Sequence, residues 1–231
     1  MRTSQRVWLF DLDDTLHDAT TASFGYTVQA MSAYMVEHLG VDEDEATTLR
    51  QHYWQRYGAT LLGLVRHHAV KAAHFLETTH RLPGLEQRLR TSAHDRAALR
   101  RLPGRKFILT NAPRTYALRV LDALGLRACF DGILCIEDMT MFGHHRPKPD
   151  ARMFRHVVAR LKTQAHRCVL VEDTLEHQRS ARRLGIGTVW MQRWLTRPSS
   201  GHRALRPAYV DHRVHSIRRL ASLVADPVTP G

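Results

Sequence analysis

Long apolar runs, paired cysteines and metalloprotease motifs are all absent from this sequence of 231 residues. No apolar run approaches the roughly 20 residues of a membrane-spanning helix, and Val7–Phe10 follows the first residues without a signal-peptide pattern. We therefore expect a cytoplasmic protein with no membrane partner. The 3 cysteines form no CxxC pair, which argues against a thiol metal site and predicts buried free thiols. The 16 histidines include no HExxH pair, so we interpret most of them as surface residues.

The composition is that of an ordinary globular protein with a strong positive charge. A hydrophobic fraction of 43% and a charged fraction of 24% predict a packed fold instead of a disordered chain. The length allows one α/β domain or a core domain with a smaller insert. The formal net charge of +12 attracts anionic partners in general. Because the arginines are scattered instead of forming one block, a nucleic-acid surface is disfavoured, but it stays open as an alternative.

Five short apolar runs predict buried strands, and helical patterns separate the later ones. The runs are Val7–Phe10, Phe107–Leu109, Gly132–Ile136, Cys168–Val171 and Thr188–Met191. The helical patterns are Thr115–Leu124, Ala151–Leu161 and Leu175–Leu184. Parallel strands need such crossovers, so the sequence predicts an α/β fold with a Rossmann-like parallel sheet. A fainter last unit has Tyr209–Val210 as its edge strand and Ser216–Val224 as a closing helix.

The segment from Ala19 to Leu102 interrupts this alternation, because it contains several helical patterns and no convincing strand. We expect it to form a helical cap inserted after the first strand. Residues 1–18 and 103–226 then form the Rossmann-like core, and residues 227–231 form a tail. We interpret the aromatic residues on the first two cap helices as the core of the cap: Tyr26, Tyr34, Tyr53, Trp54 and Tyr57.

Two acids follow the first predicted strand at its carboxyl end, which is where ligands bind in an open parallel sheet. Asp11 terminates a buried strand, and a carboxylate there needs a cation or several hydrogen bonds. Asp13 lies two positions later, so a turn can direct both acids at one substrate. One acid would be a nucleophile that forms an aspartyl phosphate, and the other a general acid and then base. The alternative is a polar helix cap. Asp14 and His17 are interpreted as turn residues without a catalytic step.

Three further groups lie in the same kind of position. Thr110 and Asn111 follow the second strand and either donate hydrogen bonds to phosphate oxygens or cap the next helix. Lys148 lies between two prolines, which limit its backbone freedom and direct its ammonium at charge that develops during phosphoryl transfer. The alternative for Lys148 is a solvated loop residue. Glu172 and Asp173 end the fourth strand and supply either the oxygen ligands that Mg²⁺ requires or a helix cap.

Taken in this order, these groups resemble the haloacid dehalogenase superfamily. Its phosphatase members carry the motif DxDx[TV], a Thr or Ser after the second strand, a Lys and a terminal acidic motif. The resemblance covers nearly the whole chain, with Ala19–Leu102 at the position of the inserted helical cap. Three segments are most similar to the pyrimidine 5'-nucleotidase branch: Phe10–Leu16, Tyr57–Leu64 and Leu109–Ala112.

The resemblance implies a role for each matching position. Asp11 would be the nucleophile and a Mg²⁺ ligand, and Asp13 would be the acid/base and a metal ligand through its backbone carbonyl. Thr110 and the backbone of Asn111 would hold the transferred phosphoryl group. Lys148 would neutralise that group and orient Asp11.

The terminal acidic motif implies the rest of the metal site. Asp173 would complete it, with Glu172 either supporting the direct ligands from behind or acting on the ion through a water molecule. The sequence departs from the family at one position, because some members carry another acid four residues after the terminal aspartate. His177 stands there in this chain.

The resemblance therefore predicts a Mg²⁺-dependent phosphate monoester hydrolase with a small phosphorylated substrate, such as a nucleoside 5'-monophosphate. A phosphomutase on the same fold is one alternative, since that outcome depends on closure of the cap. A nucleic-acid end-processing phosphatase is another, and salt-dependent oligonucleotide binding would test it. A dehalogenase is disfavoured, because that chemistry has no need of Asp13. The sequence determines neither the physiological substrate nor the oligomeric state.

Overall fold

A computed structural model of the protein describes residues 5–90, 92–195 and 206–225. Six strands of this part form one parallel sheet, and two more form a short antiparallel hairpin. The strands are β1 (Val7–Phe10), β2 (Arg105–Leu109), β3 (Gly132–Leu134), β4 (Thr140–Met141), β5 (His144–His145), β6 (Cys168–Glu172), β7 (Gly187–Met191) and β8 (His212–Val214). The sheet order is β3-β2-β1-β6-β7-β8. This confirms the predicted α/β fold with a Rossmann-like parallel sheet.

Strand β1 lies in the middle of the sheet and pairs with β2 on one side and β6 on the other. Leu9 is opposite Phe107 of β2 and Leu170 of β6. All four residues of β1 are buried, as expected for a strand of a parallel sheet with helices on both faces. The chain builds outward from β1 through β2 to β3 and then returns to the other side of β1 at β6. The order therefore reverses between β1 and β6, which opens a crevice beyond their carboxyl ends.

Ten α-helices complete the described structure. They are α1 (Gly25–Leu39), α2 (Glu43–Tyr57), α3 (Thr60–His68), α4 (Ala72–Thr79), α5 (Leu85–Arg88), α6 (Ala93–Arg101), α7 (Arg114–Ala123), α8 (Ala151–Arg160), α9 (Leu175–Arg182) and α10 (Ser222–Ala225). Helices α7, α8 and α9 match the three predicted crossovers. The predicted closing helix is a 3₁₀ segment, Ile217–Ala221, followed by α10.

The helices between β1 and β2 have clear local signals in the sequence. Helix α2 begins after Asp42, whose side chain accepts a hydrogen bond from the Glu45 amide at 2.8 Å. Acids fill its first turn, where they complement the helix dipole. It ends at Gly58, whose φ of 81° is the left-handed conformation that glycine adopts without strain. No strand lies between β1 and β2 in the residues that the structure describes.

Helices α1 to α4 share their own apolar cluster, which contains Tyr34, Met35, Tyr53, Leu64 and Phe75. The interpretation of the aromatic residues as cap core holds for the buried Tyr34 and Tyr53. It is wrong for two others, because Trp54 is 63% exposed and Tyr26 is 47% exposed. These two side chains lie on the outer faces of their helices, a distinction that aromatic content alone does not reveal.

Helices α5 and α6 pack differently, because their leucines join the cluster under the parallel sheet. Leu85 and Leu99 belong to the same buried cluster as Trp8 and Phe10 of β1. The predicted cap boundary at Leu102 stays a prediction, and this packing favours an end of the cap before α5.

Two predicted strand boundaries are wrong. The third run was expected to extend to Ile136, but β3 ends at Leu134 because Cys135 and Asp138 form a capping box that turns the chain into a 3₁₀ helix. The edge strand is not Tyr209–Val210 but β8, since the Val210 amide bonds the Pro207 carbonyl in a turn at 3.0 Å. The predicted tail, residues 227–231, lies outside the described residues.

Two further features concern the thiols and the apolar character of the helices. All three cysteines are buried and free, which confirms the expectation from the sequence. Across the described ranges, no helix combines the length and the apolar character that a bilayer crossing requires.

Candidate active site

The crevice between β1 and β6 brings a lysine and two carboxylates into direct contact. Asp11 follows β1 directly, and its amide donates to the Val171 carbonyl of β6 at 3.0 Å. Glu172 ends β6. Lys148 Nζ lies 2.6 Å from Asp11 Oδ1 and 2.7 Å from Glu172 Oε2. Lys148 and Glu172 are each 1% exposed and Asp11 is 6% exposed, so these charges interact with little screening by water.

A third carboxylate gives this contact an excess of negative charge. Carboxylate oxygens of Asp11, Glu172 and Asp173 all lie within 4.8 Å of one another. Burial, together with the charge of Glu172, raises the pKa of Asp11 to about 8, although Lys148 opposes the shift. Burial and the neighbouring acids raise the pKa of Asp173 to about 10. One ammonium therefore does not compensate three carboxylates.

The donor set fits a magnesium ion. Mg²⁺ prefers hard oxygen ligands and is usually bound by one or two carboxylates with several waters. Asp11 and Asp173 are the two acids whose pKa values are raised, because burial and the neighbouring acids outweigh Lys148, so a divalent cation beside them would favour their ionised forms. Glu172 differs from both. Burial alone would raise its pKa, but Lys148 and His177 hold the pKa of Glu172 below its usual range.

The backbone that carries the two terminal acids is held by side chains of α9 and β7. Gln178 Nε2 donates to the Glu172 carbonyl at 2.6 Å, and Trp190 Nε1 donates to the Asp173 carbonyl at 2.8 Å. His177 Nδ1 lies 3.0 Å from Glu172 Oε2. The residue that departs from the family pattern is therefore beside the acidic cluster, where its imidazole pairs with Glu172 when it is protonated.

Asp13 lies outside the carboxylate cluster and is held by a separate polar network. Its Oδ1 is 3.0 Å from His17 Nε2 and 2.7 Å from the Tyr116 hydroxyl. Its side chain is 19% exposed. Burial and the charge of Asp13 raise the pKa of Tyr116 well above its usual value, so this hydroxyl keeps its proton and acts as a donor.

Asp14, the next acid in the turn after β1, makes contacts that stabilise this turn. Asp14 has a left-handed φ of 51°, a conformation that aspartate tolerates better than most residues. Its carboxylate accepts hydrogen bonds from the Thr20 amide at 2.9 Å and the Thr20 hydroxyl at 2.7 Å. These contacts agree with the interpretation of Asp14 as a turn residue.

The two polar residues after β2 lie beside residues 146–150, the loop between β5 and α8 that contains Lys148 and is called the lysine loop below. Asn111 Nδ2 donates to the Lys148 carbonyl at 3.0 Å, and the Lys148 amide donates to Asn111 Oδ1 at 2.9 Å. Thr110 is 1% exposed, and its Oγ1 accepts a hydrogen bond from the Ala112 amide at 3.0 Å. The side chain of Asn111 therefore orients the Lys148 peptide, a contact that sequence reasoning did not foresee. Phosphate binding by Thr110 and by the Asn111 backbone stays a prediction.

Sequence reasoning also missed the surroundings of Asp13. His17 was interpreted only as a turn residue, and Tyr116 was not selected at all. The sequence does contain a signal for the contact between Asp13 and His17, because His17 follows Asp13 by only four residues. Tyr116 is 103 positions from Asp13, and only the folding of α7 against the turn after β1 brings them together.

Fold and site together define a class, the α/β proteins whose Rossmann-like parallel sheet carries a cluster of acids at its switch point. Residues 6–185 match the sequence model of a family described as haloacid dehalogenase-like hydrolase. Because this match covers most of the chain, the protein belongs to the haloacid dehalogenase-like hydrolases and is an enzyme of that family. The resemblance inferred from the motifs is thereby confirmed at the level of the superfamily.

Individual relatives agree with this placement. Phosphate metabolism protein 8 of Saccharomyces cerevisiae is 28% identical over 201 residues, which are 80% of this chain and 61% of that protein. The chain thus spans about three fifths of the length of this curated relative.

Two solved structures share the fold. One is a HAD phosphatase from Thermococcus onnurineus, with a TM-score of 0.62 and 20% identity, over 95% of this chain and 97% of that chain. The other is CbbY from Rhodobacter sphaeroides in complex with phosphate. The second has a TM-score of 0.62 and 22% identity, over 94% of this chain and 96% of CbbY.

Proposed function

We propose that this protein is a magnesium-dependent phosphatase that cleaves small phosphate monoesters with Asp11 as its nucleophile. The observation that carries the proposal is the contact of Lys148 Nζ with Asp11 Oδ1 at 2.6 Å, inside a cluster of buried carboxylates at the switch point. A buried lysine of this kind holds the nucleophile in place and carries positive charge to a phosphoryl group. The haloacid dehalogenase-like family and the phosphatase among its structural relatives support this chemistry.

The reaction would proceed in two displacements. Asp11 attacks phosphorus, the bond to the leaving oxygen breaks, and Asp13 gives its proton to that oxygen. Asp13 then takes a proton from water, the water oxygen attacks the aspartyl phosphate, and Asp11 is released with inorganic phosphate. Magnesium, when bound, shields the approach of one anion to another. Asp11 and Asp173 would hold the ion, with Glu172 and the Asp13 carbonyl as further ligands.

The raised pKa of Asp11 explains why such a reaction needs the ion. Without a cation, burial and Glu172 raise the pKa of Asp11 to about 8, so the carboxyl group is mostly protonated at pH 7. A protonated carboxyl is a poor nucleophile. Asp11 and Asp173 would hold a divalent cation, whose charge would favour the carboxylate form of Asp11 and so its action as nucleophile.

The helical segment between β1 and β2 would act as the cap of this site. A Cβ placed on Gly58, in the turn between α2 and α3, would lie 3.8 Å from Pro149 Cδ, next to Lys148. Ile136, which follows β3, packs into the apolar cluster of α1 to α4. The segment thus contacts the lysine loop. Because specificity in a shared fold depends on such local surfaces, the choice of substrate would lie there.

We further propose a nucleoside 5'-monophosphate as the substrate. This rests on the similarity of three segments to the pyrimidine 5'-nucleotidase branch: Phe10–Leu16, Tyr57–Leu64 and Leu109–Ala112.

The deciding experiment measures phosphate release from a panel of phosphate esters in Mg²⁺ and in EDTA. The panel contains nucleoside monophosphates, sugar phosphates and oligonucleotides phosphorylated at the 5' or 3' end. We expect release that depends on Mg²⁺, is greatest on a nucleoside 5'-monophosphate and falls to background in Asp11→Asn. Asp14→Asn is the matched control, because Asp14 lies in the same turn and its carboxylate bonds only Thr20 within the described part of the chain.

Other outcomes would redirect the proposal. Release that is greatest from oligonucleotide ends would favour an end-processing phosphatase, in line with the net charge of +12. Transfer of the phosphoryl group within a sugar phosphate, without free phosphate, would favour a mutase. Absence of any release above Asp11→Asn would refute the hydrolase.

A further inference from the structure

Among the described residues, protein donors engage only one of the two carboxylate oxygens of the proposed general acid, Asp13. Both contacts from the network converge on Oδ1, at 3.0 Å from His17 Nε2 and 2.7 Å from the Tyr116 hydroxyl. Tyr116 is 2% exposed and His17 is fully buried, whereas the Asp13 side chain is 19% exposed. The donors therefore lie on the buried side of the carboxylate.

We propose that Tyr116, assisted by His17, is a positioning residue that holds Asp13 Oδ1 so that Oδ2 is the atom that exchanges protons with the substrate. This inference rests on the phosphatase function proposed above. Neither residue has a counterpart in the motifs on which the family resemblance is based.

The direction of each hydrogen bond follows from the count of protons. The Tyr116 hydroxyl has one proton and two neighbours, Asp13 Oδ1 at 2.7 Å and Ser23 Oγ at 2.9 Å. The carboxylate oxygen is the stronger acceptor and has no proton on that side, so Tyr116 donates to Asp13. Ser23 then donates to the Tyr116 oxygen or to the Ala19 carbonyl, which lies 3.2 Å from its Oγ.

The second donor follows from the tautomer of His17. Its Nε2 faces Asp13, and its Nδ1 is buried without a hydrogen-bond partner among the described residues. A neutral imidazole has one N–H, and placing that proton on Nε2 leaves only a lone pair unpaired at Nδ1. With two donors on Oδ1, the proton of the acid form must lie on Oδ2.

The protons that move in the two steps then all pass through one atom, Asp13 Oδ2. In the first step the Oδ2–H bond breaks and the proton goes to the leaving oxygen, which keeps the electron pair of the broken P–O bond. In the second step a water O–H bond breaks, its proton returns to Oδ2, and the water oxygen replaces Asp11 on phosphorus. Tyr116 and His17 keep their protons throughout. Loss of the Tyr116 hydroxyl would let the carboxylate rotate and misplace Oδ2.

The test compares leaving groups that differ in their need for a proton. An alkyl phosphate expels an alkoxide unless an acid protonates it, whereas p-nitrophenyl phosphate expels a stable phenolate. Values of kcat/KM report the first displacement only. In Tyr116→Phe we expect kcat/KM to fall about 10-fold or more on the alkyl phosphate, since a hydrogen bond to a charged group is lost. On p-nitrophenyl phosphate we expect a change below about 2-fold, because general acid catalysis adds little there.

Two further variants complete the experiment. Tyr34→Phe is the matched control, because Tyr34 is also buried and, in the described residues, its hydroxyl has a hydrogen-bond partner only in His74 of the helical segment, at 3.0 Å. Tyr34→Phe should leave kcat/KM unchanged on both substrates. Ser23→Ala removes the hydroxyl behind Tyr116 and should lower the alkyl rate in the same direction but less. It carries the test if Tyr116→Phe does not fold, as judged by its thermal transition.

The outcomes separate this inference from the function on which it rests. A selective loss on the alkyl phosphate supports the positioning role. Equal losses on both substrates, or a selective loss in Tyr34→Phe as well, refute it while the phosphatase function stands. If the wild-type protein releases phosphate from neither ester, the proposed function fails and the positioning role fails with it.

Discussion

The crevice at the ends of β1 and β6 and the helices α1 to α4 use polar groups in opposite ways. In the crevice, the charged groups of Asp11, Lys148 and Glu172 are buried together, with at most 6% exposure. In helices α1 to α4 the buried residues with polar side chains carry neutral hydroxyls. The two tyrosines among them contact histidines, Tyr34 with His74 at 3.0 Å and Tyr53 with His68 at 2.7 Å. Buried charge is costly and is seldom needed for stability. We therefore infer that the crevice carries the reactive groups, whereas helices α1 to α4 provide the shape around them.

The largest effect should come from removing the positive charge from the crevice. Lys148→Met leaves Asp11 and Glu172 buried without their partner, so we expect a loss of about 3–5 kcal/mol in the free energy of unfolding and no phosphate release. The loss should be smaller at pH 5, because Lys148 lowers the pKa of Glu172, so Glu172 takes up a proton more readily at low pH once the ammonium is gone. Urea titrations and phosphate assays would measure both effects.

Lys106→Met is the matched control for this change. Lys106 Nζ donates to the carbonyls of Leu102, at 2.9 Å, and Gly104, at 3.1 Å, and to no other group that the structure describes. We expect it to cost about 1 kcal/mol or less. If both lysine variants lose the same amount of free energy of unfolding, buried charge does not distinguish the crevice from the rest of the protein.

The next effect concerns magnesium and pH. Without a cation, the raised pKa values of Asp11 (about 8) and Asp173 (about 10) mean that the folded protein retains protons that the unfolded chain has released. The free energy of unfolding should therefore fall as the pH rises from the usual carboxyl range toward 8 and 10. Because Mg²⁺ competes with those protons, it should raise the Tm more at pH 8 than at pH 6.

At a concentration of 100 times its Kd, the ion should add about 2.7 kcal/mol at pH 8. Thermal unfolding in Mg²⁺ and in EDTA at both pH values measures this difference. Asp173→Asn should reduce the rise in Tm that Mg²⁺ causes. An equal shift of Tm at both pH values would contradict the assignment of the acidic cluster as the metal site.

Asn111→Ala tests whether the crevice depends on the orientation of the lysine loop. It removes two hydrogen bonds to the Lys148 peptide, worth about 2 kcal/mol together, and should lower kcat as Lys148 loses its alignment. Ser180→Ala is a useful control, because Ser180 Oγ bonds the neighbouring Pro149 carbonyl at 2.5 Å. If Ser180→Ala lowers kcat as strongly, the loop is sensitive as a whole and Asn111 has no special role.

The smallest effect should follow from overpacking the helical segment. A Cβ on Gly63 would lie 2.1 Å from Tyr53 Cγ, so Gly63→Ala forces α2 and α3 apart. Overpacking costs about 2 kcal/mol, and the better helix propensity of alanine returns about 1 kcal/mol. We expect a net loss of about 1 kcal/mol, with kcat/KM on p-nitrophenyl phosphate nearly unchanged.

Gly25→Ala is the control, because nothing lies within 4 Å of the added Cβ. It should not lower the Tm. If Gly63→Ala instead abolishes phosphate release, the helical segment takes part in the chemistry itself, and the division between reactivity and shape fails.

Much of the sheet could be predicted, because parallel strands buried on both faces leave continuous apolar runs in the sequence. The run Val7–Phe10 matches β1 to the residue. The errors lie where the chain leaves the sheet. Cys135 stops β3 through a capping box, and the edge strand β8 contains His212 and Arg213, whose polar side chains resemble those of a loop.

The sequence by itself determined the α/β class, the family and the acids and lysine that gather at the switch point, because strand-end positions in a parallel sheet converge whatever lies between them. Only the tertiary structure decided which groups touch. The Asn111 amide holds Lys148, Tyr116 and His17 hold Asp13, and α5 and α6 pack under the sheet. These contacts join residues far apart in the chain through the packing of helices, and packing direction leaves no periodic trace in a single sequence.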